Sequence, residues 1–329
     1  MSSNYHDTLW KQNITFIKPL KSECYLETEN EWNAVVNDNS LSTFQTFYRH
    51  ATTERNSSYP FVSGDTLRAL ADHIFDETTD VNKWIDRVHL IGRGDIVFLQ
   101  SENSMLRKFF TRSTFNLIIH PFVLVTHNSD HSAPTKEFKW ILDDWRISAW
   151  FTQNPDDEHK KLFPVPIGVA NSRWRHGNVL SIKKAIYMYR KPFSERENLL
   201  YVNFEVETNR QVRSKVLKWA VGLVNVTIKK SLSFEMHLKE MGNAKFVASP
   251  PGNGLDCHRT WEAILMGAVP IVMRSRVDPL FEHENVLIID DWNKVTVDYL
   301  KSLHYHPIYS HAMLARYWYT LLLKAGGRK

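Results

Sequence analysis

One stretch in the last third of the chain limits the possible folds more than any other, because it places a strand, a glycine turn, a helix and a second strand in close succession. Lys245 to Ala248 is a short β-rich run that ends in the turn SPPGNG at residues 249–254. A helix is predicted from about Leu255 to Met266, and Gly267 stands in the position of a helix-ending glycine. Val269 to Met273 has the pattern of a second buried strand, so the stretch predicts a βαβ unit in a parallel sheet.

The start of this predicted helix has the features of an anion-binding site. Unpaired backbone N–H groups and a partial positive charge lie at a helix N-terminus, and two glycines let a phosphate approach the backbone. Arg259 and Glu262 share one helix face, and so do His258 and Glu262. At about 1.5 Å per residue, Glu262 lies roughly 10 Å beyond the turn, the separation of a diphosphate from the ribose of the same nucleotide. We expect Arg259 to pair with diphosphate and Glu262 with ribose; the alternative is an ordinary surface helix pair.

Composition and charge narrow the class of protein. With 329 residues and 43% hydrophobic content, the chain is long enough for two α/β domains. The net charge of +5 suits an anionic ligand, and no long basic run indicates nucleic-acid binding. Two cysteines are too few for a disulfide framework or a cysteine zinc site. No signal-peptide core and no run of about 18 apolar residues occurs, so we expect a soluble, cytoplasmic chain without a transmembrane segment.

The first domain is predicted to begin at Tyr59, after an extension of residues 1–58 that lies on it. A short strand ends in the turn Ser63-Gly64-Asp65, and a helix is predicted from Thr66 to Phe75. Asp65 has the position of an ordinary helix N-cap. The same turn, with Gly64 and Arg68, is alternatively the wall of a cleft, since ligands of open α/β sheets gather at the carboxyl ends of strands.

A polar cluster follows the buried strand predicted from Pro121 to Thr126. His127, Asn128, Asp130 and His131 can bind or move protons at the mouth of that strand, which makes the cluster a candidate site. The alternative is that Asn128 and Asp130 are loop and cap residues. Further predicted elements of this domain are the strands Asp95–Leu99 and Arg146–Thr152 and the helices Ser104–Phe110 and Ile182–Tyr189.

The second domain is predicted to span residues 191–308, after a first domain of residues 59–190. Thr208-Asn209 caps a helix from Arg210 to Val221, and Arg213 in its first turn either reaches a donor phosphate or is solvated. An amphipathic helix from His311 to Ala325, within a final segment 309–329, is expected to pack back on the first domain. The remaining predicted elements are the strands Asn198–Asn203, Asn225–Lys229 and Val286–Ile289 and the helix Phe234–Met241.

The residues SPPGNGLDCHRTWEAILMGAVPIV (249–272) resemble the nucleotide-sugar-binding segment of exostosin-like glycosyltransferases, which are inverting enzymes of the GT-B fold. The positions that match the family's pattern are Asn253, Gly254, Asp256, His258, Arg259, Trp261, Glu262, Gly267 and Pro270, whereas Pro251 replaces a basic residue. Segments at 63–68, 126–130 and 163–177 are similar to the family's first domain and to its crossing into the second. The chain looks like a compact soluble form such as those of large algal viruses and bacteria.

The resemblance implies an α/β fold of the GT-B type, with two Rossmann-like doubly wound domains facing across a cleft. It implies a UDP-sugar donor on the second domain and a glycan acceptor on the first. The donor-binding residues would be Ser249, Asn253, Gly254, Asp256, His258, Arg259, Glu262 and Arg213. The acceptor-side residues would be His127, Asn128, His131 and Arg68.

The expected reaction is a metal-independent transfer with inversion. No Asp-x-Asp triplet, the manganese-binding pair of metal-dependent transferases, occurs in the chain, so Arg259, with Arg213, is expected to stabilise the departing diphosphate and no cofactor is expected. Inversion needs a base on the opposite domain. Asp130 is the first candidate and Asp65 the second, while His127 and His131 are expected to shape the loop or bind acceptor hydroxyls.

Two other functions compete with this interpretation. A nucleotide-sugar or glycan binding module without catalysis would keep Arg259 and Glu262 but could dispense with Asp130. A Rossmann dehydrogenase is disfavoured because the turn does not give G-x-G-x-x-G and falls late in the chain.

Overall fold

A computed structural model describes residues 28–38, 40–306 and 308–328. The first half of the predicted N-terminal extension, residues 1–27, lies outside the described residues. Within the described part, the extension contains helices α1 (Glu29–Val36) and α2 (Leu41–Phe47). Trp32 of α1 and Phe47 of α2 are buried in the same core as Tyr59 and Phe61, so this part packs on the first domain.

The first lobe is built around a five-stranded parallel sheet whose strands stand in chain order. The strands are β1 (His73–Phe75), β2 (Ile96–Gln100), β3 (Phe122–His127), β4 (Ile147–Thr152) and β5 (Leu162–Pro164). Strand β3 lies in the centre, with Val125 opposite Phe98 on one side and Phe151 on the other. All six residues of β3 are buried, which explains its continuous apolar sequence.

The two faces of this sheet are covered by different parts of the chain. One face packs against the segments that connect its strands, which contain α4 (Ile85–Val88), α5 (Asn103–Phe109), α6 (Arg112–Phe115) and a 3-10 helix, Lys136–Asp143. The opposite face packs against α3 (Gly64–Leu70), the N-terminal helices and the C-terminal helix. The sheet is therefore buried on both sides, as a parallel sheet requires.

The second lobe contains a second parallel sheet, in the order β10-β9-β8-β6-β7. Its strands are β6 (Asn198–Val202), β7 (Val226–Ile228), β8 (Ala244–Ala248), β9 (Val269–Met273) and β10 (Leu287–Ile289). The strand order reverses between β6 and β8, which lie side by side. In open α/β sheets, the crevice at the carboxyl ends of two such strands is the usual ligand site.

Helices cover both faces of the second sheet, so this lobe is doubly wound. One face carries α8 (Arg210–Val221) and α11 (Val297–Ser302). The other carries α7 (Val179–Tyr189), α9 (Phe234–Asn243) and α10 (His258–Leu265). Within α10, Trp261, Ala263 and Ile264 enter the core, which fixes the face that this helix turns away from the sheet.

The C-terminal helix α12 (Ala315–Ala325) returns to the first lobe, as predicted. Trp318 is buried against Phe151 of β4, with ring centroids 6.5 Å apart. Leu314, just before the helix, forms an antiparallel bridge with Phe61. Two lobes, each built on a five-stranded parallel sheet, and this returning helix agree with the two-domain GT-B arrangement expected from the sequence. No helix in the described residues is long and apolar enough to cross a membrane.

Several local predictions differ from the structure. The helix predicted from Thr66 to Phe75 ends at Leu70, because Ala71 is extended and the apolar run His73–Phe75 pairs with β2 as an edge strand. The short strand predicted before Ser63 is reduced to the single bridge at Phe61. Helix α10 begins at His258, three residues after the predicted start, since Cys257 is still extended.

Candidate functional site at the junction of the two lobes

The start of α10 lies at the carboxyl ends of β6 and β8, where the strand order reverses. Arg259 Nε donates a 2.8 Å hydrogen bond to the carbonyl of Asn203, directly after β6. Its Nη1 atom is buried and has no hydrogen-bond partner among the described residues. The guanidinium carbon lies 5.5 Å from the ring centroid of Phe204, so the aromatic face supports the cation. A half-buried guanidinium whose Nη1 is buried and donates to no described residue is a suitable partner for an anion.

Arg213 lies against the same aromatic ring, with its guanidinium carbon 5.6 Å from the Phe204 centroid. Its Nε donates to the carbonyl of Pro251 at 3.0 Å, and its Nη1 donates to the carbonyl of Glu205 at 2.7 Å. Burial, together with the nearby charge of Arg259, lowers the pKa of Arg213. Backbone carbonyls thus occupy this guanidinium, and the structure gives Arg213 the role of holding the glycine turn instead of the predicted direct contact with phosphate.

Glu262 is buried on the face of α10 that carries Arg259. Its Oε2 lies 3.4 Å from Nε2 of His237, a residue of α9 that sequence reasoning missed. The Tyr201 hydroxyl lies 2.9 Å from Nδ1 of His237, and it accepts a hydrogen bond from Asn203 Nδ2 at 2.9 Å. Burial acts to raise the pKa of Glu262, but His237 and further histidines outweigh it, so the pKa is lowered and the carboxylate stays charged.

The glycine turn itself contacts the first lobe. Asn253 Nδ2 donates a 3.1 Å hydrogen bond to Oδ2 of Asp130. A side chain at Gly254 would begin 2.6 Å from Nδ2 of Asn154, a fully buried residue just after β4. Asn154 Oδ1 also accepts from the backbone N–H of Asp256 at 3.2 Å. The turn that was predicted to bind phosphate therefore also forms the junction between the lobes, and Asn154 is a junction residue that the sequence analysis did not single out.

The buried carboxylate of Asp256 hydrogen-bonds to both lobes at this junction. Its Oδ2 accepts hydrogen bonds from the backbone of Ile167 at 2.8 Å and from the indole of Trp261 at 2.7 Å, and its Oδ1 accepts from the backbone of Cys257 at 2.8 Å. Burial raises its pKa to about 6, although these three donors oppose the shift. The prediction that Asp256 contacts the donor is corrected: its carboxylate is used to join α10 to the first lobe.

Ser249 and His258 flank the helix start. The Ser249 hydroxyl is buried and lies 2.8 Å from the hydroxyl of Thr260, so it is paired within the second lobe and not directed to a donor as predicted. His258 Nδ1 lies 2.8 Å from the carbonyl oxygen of Gly168 in the first lobe. Burial lowers the pKa of His258. His258 is thus the one predicted donor residue whose ring spans the junction.

Asp65 belongs to a buried network in the first lobe. Its Oδ1 accepts from Arg55 at 3.0 Å and from Asn128 Nδ2 at 3.1 Å, while Oδ2 is buried without a partner in the described chain. Burial raises its pKa, against the effects of Arg55 and Asn128. The N-cap of α3 is Ser63, whose side chain accepts from Thr66, so the interpretation of Asp65 as N-cap is wrong.

Asn128 is held at both ends of its amide. It donates to Asp65, and its Oδ1 accepts from Nδ2 of Asn171 at 2.9 Å. Its φ of 62° lies in the left-handed region, which asparagine tolerates better than most residues. The network therefore sets the direction of the turn that carries Asp130.

His127 and His131 have different surroundings. His127 is buried, its Nδ1 accepts from the backbone of Asn128 at 2.7 Å, and its Nε2 lies 3.1 Å from the carbonyl of Pro166. Burial lowers its pKa to about 4, so the ring is neutral and shapes the loop. His131 is exposed, and its Nε2 lies 3.3 Å from Oε2 of Glu102.

Arg68 does not face the acceptor side as predicted. It is buried, and its three terminal nitrogens donate to the Asp76 carboxylate at 2.6 Å, the His50 carbonyl at 3.0 Å and the Thr78 hydroxyl at 3.0 Å. These contacts brace the segment between α3 and β2. The prediction that Arg68 is an acceptor-side residue is therefore corrected, because its guanidinium is used to hold this segment in place.

Asp130 is the exposed carboxylate at this junction. It follows β3 on the first lobe, and its contact with Asn253 brings it to the turn that precedes α10. The structure thus brings together Asp130, Asn253, His258, Arg259 and Glu262 near one junction. It places Asp65, Arg68, Asp256, Ser249 and Arg213 in supporting networks around them.

The chain matches known proteins weakly and only at the level of structure. No protein-family model matches the chain, and no curated protein matches it. Among solved structures, the chain is similar to the GtfA/B complex, with 12% identity, a TM-score of 0.36, and coverage of 67% of this chain and 51% of that one. It is also similar to an alpha-glucosyltransferase in complex with UDP-glucose and DNA containing an abasic site, with 11% identity, a TM-score of 0.26, and coverage of 63% and 69%.

The chain thus spans about half the length of the first of these structures. At TM-scores below 0.5, neither likeness carries an argument about this protein. The description of the fold rests on the two sheets themselves.

Proposed function

We propose that this protein is an inverting glycosyltransferase that moves a sugar from a UDP-sugar donor to a hydroxyl of a glycan acceptor without a metal ion. The observation that carries the proposal is the buried, unpartnered Nη1 of Arg259 at the reversal of strand order in the second sheet. A buried guanidinium nitrogen that donates to no acceptor carries a desolvation cost, which an anion bound there would remove. A diphosphate at this position would supply the missing acceptor, and the first turn of α10 would add its partial positive charge.

The leaving group is stabilised on the second lobe. As the bond between the anomeric carbon and the UDP oxygen breaks, its electron pair moves to the diphosphate, where Arg259 offers a charge-assisted hydrogen bond. Arg213 acts indirectly, because its contacts with Pro251 and Glu205 hold the turn beside the diphosphate. Glu262 carries a charge and is fixed by His237, so one carboxylate oxygen remains for the ribose hydroxyls.

The base is on the first lobe. Asp130 is exposed at the junction and takes the proton of the acceptor hydroxyl while that oxygen attacks the anomeric carbon from the face opposite UDP. Asp65, the second candidate, is 1% exposed and paired with Arg55, so an acceptor hydroxyl has no route to it. Asn253 donates a hydrogen bond to the Asp130 carboxylate, and the acceptor hydroxyl takes the place of that donor in the reaction.

The donor site is tested by UDP binding, measured by titration calorimetry, in Arg259→Gln and in the control Arg210→Gln. Arg210 is the first residue of α8 in the same lobe and its guanidinium pairs only loosely with Glu207, at 3.4 Å on the surface. Arg259→Gln should weaken UDP binding by about 1.5–3 kcal/mol, the value of a hydrogen bond to a charged group. The control should change it by less than about 0.5 kcal/mol. Equal affinities in all three proteins would remove Arg259 from the site.

A further inference from the structure

We propose that Nε2 of His258 accepts a hydrogen bond from a hydroxyl of the sugar carried by the donor, which makes His258 a specificity-determining residue. This inference rests on the proposed function, because it takes a UDP-sugar to be the ligand. Under this inference, Nε2 of His258 recognises the transferred sugar and not the nucleotide. The argument starts from the one hydrogen bond that the ring makes.

The tautomer of His258 follows from its partner. The carbonyl oxygen of Gly168, 2.8 Å from Nδ1, can only accept, so Nδ1 must carry the proton. In a neutral ring, Nε2 then has a free lone pair. No hydrogen bond of Nε2 is found within residues 28–38, 40–306 and 308–328, and the residue is partly exposed. The atom therefore presents an acceptor to the space at the junction.

The ring is neutral because of where it lies. Burial lowers the pKa of His258, and the nearby His176 lowers it further, whereas Glu262 on its own helix and Asp130 on the first lobe raise it. His127, also on the first lobe, is near enough for the two rings to affect each other's pKa. The net shift is downward, so near neutral pH Nε2 is an acceptor and not a donor.

The partner carbonyl is held rigidly, which fixes the direction of Nε2. Gly168 has a φ of 66°, and a Cβ there would lie 2.1 Å from the carbonyl oxygen of Val62, so backbone packs directly against backbone. The N–H of the next residue, Val169, donates to that same Val62 carbonyl at 2.9 Å. His258 therefore cannot turn away without losing the bond to Gly168.

The position of His258 identifies the sugar as the ligand. His258 is the first residue of α10 and Arg259 is the second, so both lie at the helix end where the diphosphate would bind, with their side chains pointing in different directions. The sugar extends from the diphosphate towards the lobe that carries the base. His258 contacts that lobe at Gly168, and its ring lies 6.0 Å from the exposed ring of His176. Hydroxyl groups are the only donors that the ring of a neutral hexose or pentose offers to such an acceptor.

Two variants separate the two ring nitrogens. His258→Asn places an amide N–H where Nδ1 was, so the bond to Gly168 is kept while the Nε2 acceptor is lost. His258→Gln places its amide near Nε2 and gives up the bond to Gly168. Both are compared with the wild type by calorimetry, with UDP and with the UDP-sugar that the wild type turns over fastest, after thermal melts show which variants are folded.

The expected result is that His258→Asn binds UDP as the wild type does but binds the UDP-sugar about 10-fold more weakly, the value of one hydrogen bond. His258→Gln should recover part of that loss. Equal weakening of UDP and UDP-sugar would overturn the inference, since His258 would then hold the nucleotide. Unchanged UDP-sugar affinity with a higher KM for the acceptor would also overturn it, because the hydroxyl would belong to the acceptor. If the wild type binds no UDP-sugar at all, the proposed function itself fails. If the wild type binds the UDP-sugar and His258→Asn binds it equally well, only the role of His258 fails.

Discussion

Asp130 and Asp65 show how differently two carboxylates can be used within one lobe. Asp130 is exposed just after β3, and among the residues that the structure describes its carboxylate accepts a hydrogen bond from the Asn253 side chain of the opposite lobe. Asp65 is buried and paired with Arg55, and it orients Asn128. One carboxylate can therefore meet a substrate, whereas the other stabilises the turn that presents it.

This difference predicts opposite effects of the same substitution. Asp130→Asn keeps the shape and removes the proton acceptor, so transfer should fall by about 10²–10⁴ while UDP affinity stays the same. Asp65→Asn keeps an oxygen for Arg55 but removes the charge of one of its two carboxylate partners, the other being Glu77, and should cost about 1–3 kcal/mol of the free energy of unfolding. A pure N-cap role would have cost at most about 1 kcal/mol. Steady-state transfer rates and urea unfolding measure the two effects, and full activity of Asp130→Asn would exclude it as the base.

Glu284 predicts a pH dependence of stability. Ser310 donates to its Oε1 at 2.8 Å, its Oε2 is buried without a partner in the described chain, and burial raises its pKa from 4.5 to about 8. The folded state thus binds a proton that the unfolded state has released between these pH values. The corresponding stability is complete below pH 4.5 and is lost as the pH rises through about 8.

The matched test is Glu284→Gln, which mimics the protonated acid at every pH. The urea midpoint of the wild type should fall as the pH rises through this window, and the variant should show a flatter profile. The exposed Glu195→Gln should keep the wild-type slope. Identical slopes in all three proteins would show that Glu284 titrates normally.

At the scale of elements, the turn before α3 and the turn after β3 pack without space for a side chain between them. A Cβ on Gly64 would lie 1.7 Å from Oδ1 of Asn128 and 2.6 Å from Nδ1 of His127. The Asn128 amide cannot move aside freely, because Asp65 and Asn171 hold it at both ends. The glycine therefore allows α3 to approach the turn that carries Asp130.

Gly64→Ala should displace Asn128 and, with it, Asp130. We expect a loss of about 1–3 kcal/mol in the free energy of unfolding, typical of overpacking, and slower transfer with unchanged UDP binding by the other lobe. Gly222→Ala at the end of α8 is the control for a mild contact, since a Cβ there would lie 3.3 Å from the Trp219 carbonyl oxygen, whereas one at Gly64 would overlap Asn128. Wild-type transfer by Gly64→Ala would show that this packing does not position the base.

How much the sequence could predict depended on how local each signal was. The helix from Arg210 to Val221, its Asn209 cap and strand β9 were predicted with their observed bounds, because caps and apolar periodicity lie within the segments. Strands β1 and β5 have three residues each and owe their conformation to neighbouring strands, so no pattern in the sequence identified them.

The candidate site shows the same limit. Arg259 and Glu262 could be singled out because they share a helix that follows a glycine turn. The partners of Asp65 and Arg68 could not be predicted, since Arg55 and Asp76 are brought to them by tertiary packing. Asn154 follows β4 as Asp130 follows β3, so the rule that ligands gather at strand ends could have found it. His237 lies within a helix and gave no signal.

At the scale of the whole molecule, the segment from Asn253 to His258, which we propose as the donor turn, also contacts the first lobe. Asn253 meets Asp130, Asp256 meets Ile167, and His258 meets Gly168. The C-terminal helix adds a second connection through Trp318. A donor bound to this turn would therefore lie within reach of the first lobe without a large closing movement.

The most direct test of the proposed function is UDP release from a panel of UDP-sugars with glycan acceptors, measured with EDTA present. We expect that at least one pair supports transfer, that chelation leaves the rate of transfer unchanged, and that Asp130→Asn lowers this rate. Loss of turnover in EDTA with recovery on adding manganese would contradict the leaving-group chemistry assigned to Arg259. UDP-sugar binding without transfer to any acceptor would instead identify the chain as a binding module.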